Sequence, residues 1–269
     1  MDSDILLVGC GNMGQALLRG WLARGVGSNR IRVVDCAASA IGSAQSLNIL
    51  ASVELDEVLE GFDVGLVVFA VKPQHLEALL PAYRGLAGLG TTFLSIAAGK
   101  PIGFYEQLLG EAVVLVRAMP NTPAAIGQGI TVLCPNVNVG FGQRDLVGGL
   151  MAVVGEIAWL EEEALMDAVT AVSGSGPAYV FLLIESLTEA GVEVGLEEGL
   201  ARQLAKATVA GAGAYAMQAE DDVVELRQQV TSPGGITAAA LEILMAGDAF
   251  KSLLKQAVRA AIDRGRELA

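Results

Sequence analysis

The feature that most restricts the fold is the opening of the chain. A short apolar run, DILLV at residues 4–8, leads into Gly9-Cys10-Gly11-Asn12-Met13-Gly14. A stretch with apolar residues at helical spacing, Leu17, Leu18, Trp21 and Leu22, follows. A G-x-G-x-x-G loop is weak evidence alone, but between a strand and a helix it marks a dinucleotide-binding turn. Gly9 permits the tight turn, Gly11 lets a pyrophosphate approach the backbone, and Gly14 lets the helix lie against the strand. The alternative is an ordinary glycine-rich strand-to-helix turn.

The same alternation continues. Residues 31–35, 64–71, 91–97, 112–117 and 130–134 are apolar and strand-like, with helical stretches such as 74–82 and 101–109 among them. Fully apolar strands alternating with helices predict a parallel sheet covered on both faces. From Glu161 onward the pattern is helical only, over roughly 161–171, 177–190, 196–218, 220–229, 237–246 and 248–266. The fold expected is α/β: a Rossmann-type domain over 1–160 and an all-α domain over 161–269, with no proline- or serine-rich linker. Helix 196–218 is rich in small residues, which let backbones approach closely. It is either a tight bundle core or a helix interdigitated with a partner subunit.

With 269 residues the chain can bury a sizeable core. Its 53% hydrophobic content and mean hydropathy of +0.52 are high for a soluble monomer. Apolar runs such as 64–71 are shorter than the about 20 residues of a spanning helix. Asp2 and Asp4 precede the first apolar run, unlike a secretory leader. A cytoplasmic oligomer with no membrane partner is therefore expected. A net charge of −13 argues against nucleic acid as partner. An acidic ligand must then be held by local dipoles. Cys10, Cys36 and Cys134 have no metal-ligand spacing, and their odd number suits a reducing compartment. With His75 the only histidine, a His-based metal site or a Ser–His–Asp triad is disfavoured and no metal is expected.

Asp35 ends the second strand, where a carboxylate accepts hydrogen bonds from an adenosine ribose and repels a 2′-phosphate. No lysine or arginine follows in 36–42, so the local reading leans to NADH over NADPH. The alternative is a solvated strand-end aspartate. Val71-Lys72-Pro73 and Ala97-Ala98-Gly99 lie at carboxyl ends of strands, where ligands collect in open α/β sheets. Lys72 either meets a phosphate or faces water. In RAMPNTPA (117–124), Asn121 offers an amide suited to positioning a nicotinamide, unless the loop is only a rigid connector.

In the helical half, SGSGPAY (173–179) starts a helix with Pro177 at its first position and Ser175 or Gly176 as cap or substrate contact. VTSPGGITAAAL (230–241) sets Ser232, Gly234 and Gly235 before another helix, presenting backbone N–H groups at a positive helix end. A small carboxylate would be held there without a lysine or arginine. Thr237 offers a hydroxyl able to donate to a ring nitrogen and is the catalytic candidate, or it merely caps the helix. No strong acid–base constellation is present. Reducing a C=N bond needs a hydride, orientation and charge complementarity more than a strong base. Alcohol dehydrogenation usually needs His, Lys or Tyr as proton carrier.

GCGNMG, AVKPQ (70–74), SIAAG (95–99), RAMPNTPA, AVSGSGPAYVF (171–181) and VTSPGGITAAAL together resemble pyrroline-5-carboxylate reductase, in the same order and across essentially the whole chain. The resemblance implies NAD(P)H-dependent reduction of 1-pyrroline-5-carboxylate to L-proline, the last step of proline biosynthesis. It implies a carboxylate-bearing small-molecule substrate and a helical dimerisation domain that intertwines with its twin. The assembly implied is a homodimer core, which some members build into a decamer. Carried over, the substrate-carboxylate loop falls on Val230, Thr231, Ser232, Gly234, Gly235, Ile236 and Thr237, with Glu163 and Glu220 at acidic positions near the pocket. Position 236 is Ile where many members have a small residue or threonine, and Asp35 is unusual for a family often preferring NADPH. The competing readings are a related reductase of another cyclic imine or a β-hydroxy acid, for which Lys206 is the only interior lysine, and a non-catalytic dinucleotide-binding regulator.

Overall fold

A computed structural model describes residues 3–88 and 90–268. The strands form one eight-stranded sheet. β1 (Asp4–Val8) pairs in parallel with β2 (Ile31–Val34) and β4 (Val64–Phe69), so the chain reverses its direction of travel across the sheet at β1. β3 (Leu50–Ser52) extends one side, and β5 (Thr92–Ser95) and β6 (Val114–Met119) extend the other, all parallel.

The strands are apolar on both faces because both are buried. Ile5, Leu7, Leu66, Val68, Leu94 and Val116 face one core. Leu6, Val8, Val67, Phe69, Phe93 and Leu115 face the other. The first core receives α1 (Asn12–Ala23) and α2 (Ala38–Gln45), and the second receives α3 (Leu55–Leu59), α4 (Leu76–Leu79) and α5 (Ile102–Leu109). The Trp21 indole N–H donates to the Leu150 carbonyl at 2.9 Å, tying α1 to α6 (Phe141–Met151). Each such side chain, fully buried, contributes about 1.5–3 kcal/mol.

The sheet is not wholly parallel as expected. β7 (Gly129–Pro135) runs antiparallel to β6, and β8 (Gly155–Trp159) runs parallel to β7. A single tight turn over Thr122–Ile126 separates β6 from β7, too short for the crossover that a parallel neighbour requires.

The chain divides into two compact units, one reaching to Gly174 and including the end of the last helix from Ile262, the other Ser175–Ala261. This boundary lies later than the 160/161 division read from the sequence. Residues after 160 stay with the sheet because Met166, on α7 (Met166–Val169), and Ala171 are buried in the first unit. A π-helical turn, Thr170–Gly174, closes this segment.

The second unit contains α8 (Gly176–Glu193), α9 (Glu198–Gln218), α10 (Val223–Gln229), α11 (Ile236–Met245) and most of α12 (Ala249–Leu268). Gly191 on α8 lets Ala201 of α9 come close: a methyl added at Gly191 would lie 3.1 Å from the Ala201 Cβ. Of the small residues along α9, Ala201 and Ala205 are buried while Gly211 and Gly213 are exposed. Large apolar side chains remain exposed, among them Phe181, Leu182, Leu204, Met217 and Leu253. Residues Glu163–Glu193 form one helical run long and apolar enough to cross a membrane. That is a statement of length and composition only, and this run is longer than the apolar runs read from the sequence.

Gly155 tests the β7–β8 contact. Its φ is +141° and a Cβ there would sit 1.9 Å from the Gly129 carbonyl oxygen. Gly155→Ala should lower the unfolding free energy by about 2 kcal/mol or more. The change reads as a lower urea midpoint with an unchanged denaturant slope, and an unchanged midpoint would contradict the packing described.

Candidate active site

The first unit gathers one candidate site at the carboxyl edge of its parallel strands, where β1, β4, β5 and β6 end side by side. Gly9 leaves β1 with φ +94°, its N–H donating to the Val34 carbonyl at 2.8 Å. A Cβ on Gly9 would lie 2.7 Å from the Ala70 carbonyl oxygen. A Cβ on Gly14 would lie 2.3 Å from the Gly9 carbonyl oxygen. A Cβ on Gly11 meets nothing within 4 Å among the described residues. The first and third glycines are thus demanded by packing, and the second faces open space. Gly11 is also the N-cap of α1, and no side chain caps that helix. The exposed Asn12 and half-buried Met13 begin it. This is the backbone cradle a dinucleotide pyrophosphate fits.

Asp35 faces the cradle. One carboxylate oxygen accepts from the Cys10 N–H at 2.6 Å and the other from the Ala37 N–H at 2.8 Å. The half-exposed carboxylate thus braces the glycine loop. Burial, and then Asp35, push the Cys10 thiol up to about 11. It stays protonated at neutral pH and is no nucleophile.

Val71, Lys72 and Pro73 follow β4, with Lys72 exposed and Pro73 opening a short turn. Ala97 is buried, Ala98 exposed, and Gly99 has φ +77° with open space at its Cβ position. Asn121 lies just beyond β6, but its amide is engaged at both ends. Its oxygen accepts from the Ile130 N–H at 2.9 Å, and its nitrogen donates to the Ser173 carbonyl at 3.4 Å. The side chain expected to point at a nicotinamide instead ties the loop to β7 and to the π-turn.

In the second unit, Val230 to Gly235 form one loop between α10 and α11, and Ile236 and Thr237 begin α11. The Thr231 hydroxyl donates to the Arg227 carbonyl at 2.6 Å. The Gly235 N–H donates to the Ser232 carbonyl at 3.0 Å, and Gly234 adopts φ +67°. Gly235 is the N-cap of α11 and no side chain caps this helix either. Ile236 and Thr237 occupy its first turn, both exposed, Ile236 at 94%. Thr237 lies inside the helix, so the capping alternative for it fails. Ser175 stands at the N-cap of α8 without a side-chain cap hydrogen bond, and Pro177 takes the second helical position rather than the first that was expected. Glu220 is exposed between α9 and α10. Glu163 belongs to the first unit, where its carboxylate accepts from Arg117 at 2.8 Å and from the Ile102 N–H at 2.7 Å. Lys206 is exposed on α9 rather than interior.

The sequence reading assigned no role to Arg117, Ser95 or Tyr105. An arginine inside the apolar strand VLVRAM is itself a signal, because a buried charge requires a partner. That partner could not be identified from local spacing.

A family model described as pyrroline-5-carboxylate reductase dimerisation matches residues 163–268, and one described as NADP oxidoreductase, coenzyme F420-dependent, matches residues 4–99. A pyrroline-5-carboxylate reductase from Pseudomonas aeruginosa is 40% identical, the alignment covering 98% of this chain and 96% of that one. The chain belongs to the pyrroline-5-carboxylate reductase family. The structure of the family member from Coxiella burnetii superposes with a TM-score of 0.94 at 34% identity, covering 100% of this chain and 99% of that one. The member from Plasmodium falciparum, solved with NADP bound, superposes at 0.84 with 29% identity, covering 99% and 98%. The exposed apolar helices of the second unit thus fall within the family's dimerisation region.

The glycine loop makes opposite demands at two positions. In the ligand-free protein Gly11→Ala should leave the melting temperature within about 2 °C, whereas Gly14→Ala should lower it by roughly 5 °C or more. Equal effects in differential scanning calorimetry would contradict the division of roles.

Proposed function

We propose that this protein reduces 1-pyrroline-5-carboxylate to L-proline with a reduced nicotinamide dinucleotide. The observation that carries the reading is an uncapped, glycine-preceded helix start for a carboxylate in a chain of this family that also holds the glycine cradle.

Gly9, Gly11, Asn12, Met13 and Gly14 form the turn that would hold the pyrophosphate, and Asp35 would accept the adenosine ribose hydroxyls. Val71, Lys72, Pro73, Ala97, Ala98 and Gly99 supply the rest of that edge, and Asn121 keeps it in shape. When bound, the dinucleotide supplies a hydride to the imine carbon. The amides at the start of α11 hold the substrate carboxylate with about half a positive charge from the helix dipole. The Thr237 hydroxyl donates a hydrogen bond to the lone pair that develops on the ring nitrogen in the transition state. Ser175 and Glu220 are further substrate-side candidates. The assembly proposed has a homodimer core joined through the helical unit, with a decamer of five such dimers as its larger form. Three free thiols suit the reducing cytoplasm in which we place it.

Asp35 favours NADH in this reading, because its negative charge opposes a 2′-phosphate and 36–42 hold no lysine or arginine to offset it. A spectrophotometric assay with pyrroline-5-carboxylate should give a higher kcat/KM with NADH than with NADPH. Asp35→Ser should narrow the ratio even if bracing of the glycine loop is lost, since both cofactors share that loss. Equal values in the parent would refute the preference, and no oxidation of either cofactor would refute the function.

Thr237 separates a working hydroxyl from a passive one. Thr237→Ala should lower kcat/KM by roughly 10²-fold if it donates in the transition state. An unchanged kcat/KM removes it from the mechanism.

A further inference from the structure

We propose that Glu163 is a positioning residue for the cofactor rather than a substrate contact, acting as a pair with Arg117 to fix the loop 97–101. The inference rests on the reading above, that this edge of the sheet takes a reduced nicotinamide dinucleotide.

The loop leaves β5 and returns as α5, and polar side chains hold it at both ends, a fully buried pair upstream and the half-buried Glu163 downstream. Upstream, the Ala97 N–H donates to the Ser95 hydroxyl oxygen at 3.3 Å. That hydroxyl pairs with the Tyr105 hydroxyl at 2.6 Å, and both residues are fully buried. Downstream, the Ile102 N–H at the start of α5 donates to Glu163 Oε1 at 2.7 Å. The same oxygen accepts from Arg117 Nη1 at 2.8 Å.

Each partner has a physical reason to be where it is. The N-cap of α5 is Pro101, which has no side-chain acceptor, so the first turn needs a carboxylate from elsewhere. A negative charge at that helix end is also favoured by the dipole. Arg117 projects from β6 with its side chain only 6% exposed, which is tolerable only with a paired anion. Glu163 answers both needs with one oxygen.

Between the two anchors, Ala97, Ala98 and Gly99 carry almost no side chain with which to hold a shape. Gly99 has a positive φ and open space at its Cβ position. The loop also lies against the cradle's own support. The Ile96 N–H donates to the Phe69 carbonyl at 3.0 Å, one residue before the Ala70 backbone on which Gly9 packs. Freed at its α5 end, this segment would gain backbone freedom that cofactor binding must remove again. A carboxylate committed to an arginine and a helix start is poorly suited to gripping a substrate as well.

The test uses the full-length protein and three variants, Glu163→Ala, Glu163→Gln and Glu163→Asp. NADH affinity is read by energy transfer from protein tryptophan to bound nicotinamide. The loop is read by hydrogen–deuterium exchange of the peptide spanning 97–104, and the substrate side by the KM for pyrroline-5-carboxylate. Glu163→Ala should weaken NADH binding by about tenfold and speed exchange in that peptide, with the imine KM changed less than about twofold. Glu163→Gln keeps an oxygen for the Ile102 N–H and should recover most of the affinity. An alanine variant that binds NADH like the parent but raises the imine KM makes Glu163 a substrate contact and overturns the proposal. An alanine variant that only melts earlier, with NADH affinity intact, overturns it too. If alanine does not fold, Glu163→Asp draws the carboxylate back by one methylene and should still weaken NADH binding about threefold or more, and an unchanged affinity is then decisive against the pair. Failure of the underlying reading looks different, because the parent itself would then not bind NADH.

Discussion

Three pieces of bare backbone meet at one point: Gly9, Gly14 and the strand end at Ala70. A single methyl group at Gly9 or Gly14 would overlap a carbonyl oxygen. Their closeness sets α1 against β1, and α1 then delivers Leu17, Leu18 and Trp21 into the core on that face. The same closeness exposes Gly11 and the uncapped first turn of α1 at the sheet's carboxyl edge. Packing and binding are therefore set by one constraint. Asp35 completes it from β2 by accepting from Cys10, inside the loop itself. A residue usually considered for ribose recognition is also part of the loop's scaffold.

What could be read from the residues follows how local each interaction is. The central strands were legible because burial on both faces makes them apolar throughout, and the glycine loop because its three glycines fall within six residues. The helical half was legible because 3.6-residue periodicity needs no knowledge of partners. β8 was not. Its sequence, GEIAW, is short and opens on glycine, and its residues are half-buried to exposed because it lies at the sheet edge. The direction of β7 is decided by a short turn rather than by its own composition. The least legible features were pairings across long stretches of chain. Arg117 and Glu163 are 46 residues apart, and Asn121 and Ser173 are 52 apart. Those distances explain why the sequence shows neither the partner of Asn121 nor that of Glu163.

The second unit reverses the economy of the first. Its helices bury little of their apolar surface within the chain, and Phe181, Leu182, Leu253 and Ile243 stand exposed. A soluble monomer seldom keeps so much apolar surface in water. The helical run Glu163–Glu193 has the composition of a membrane helix, yet it lies in the region matched by the family's dimerisation model. A subunit interface and a bilayer make similar demands on one helix face, so hydropathy alone does not separate them. The high overall hydropathy then reflects surface meant for another copy of the chain.

The charge of the chain bears on how a carboxylate can be held. With a net charge of −13, the long-range field opposes any anion that approaches. Screening shortens that field to about 8 Å at physiological ionic strength, so binding depends on what lies in direct contact. Backbone amides at a helix start are donors of that kind. They are fixed by the fold, need no side-chain ordering, and add no full charge that a buried site would have to desolvate. A lysine in their place would also hold the carboxylate, but its full positive charge would disfavour protonation of a nearby imine nitrogen. Under the proposed function, holding the acid group with partial charges alone would avoid that penalty on the cationic, more readily reduced form of the ring. The glycines before α11 would thus suit an acid group and C=N reduction together, at a helix start that carries no side-chain cap.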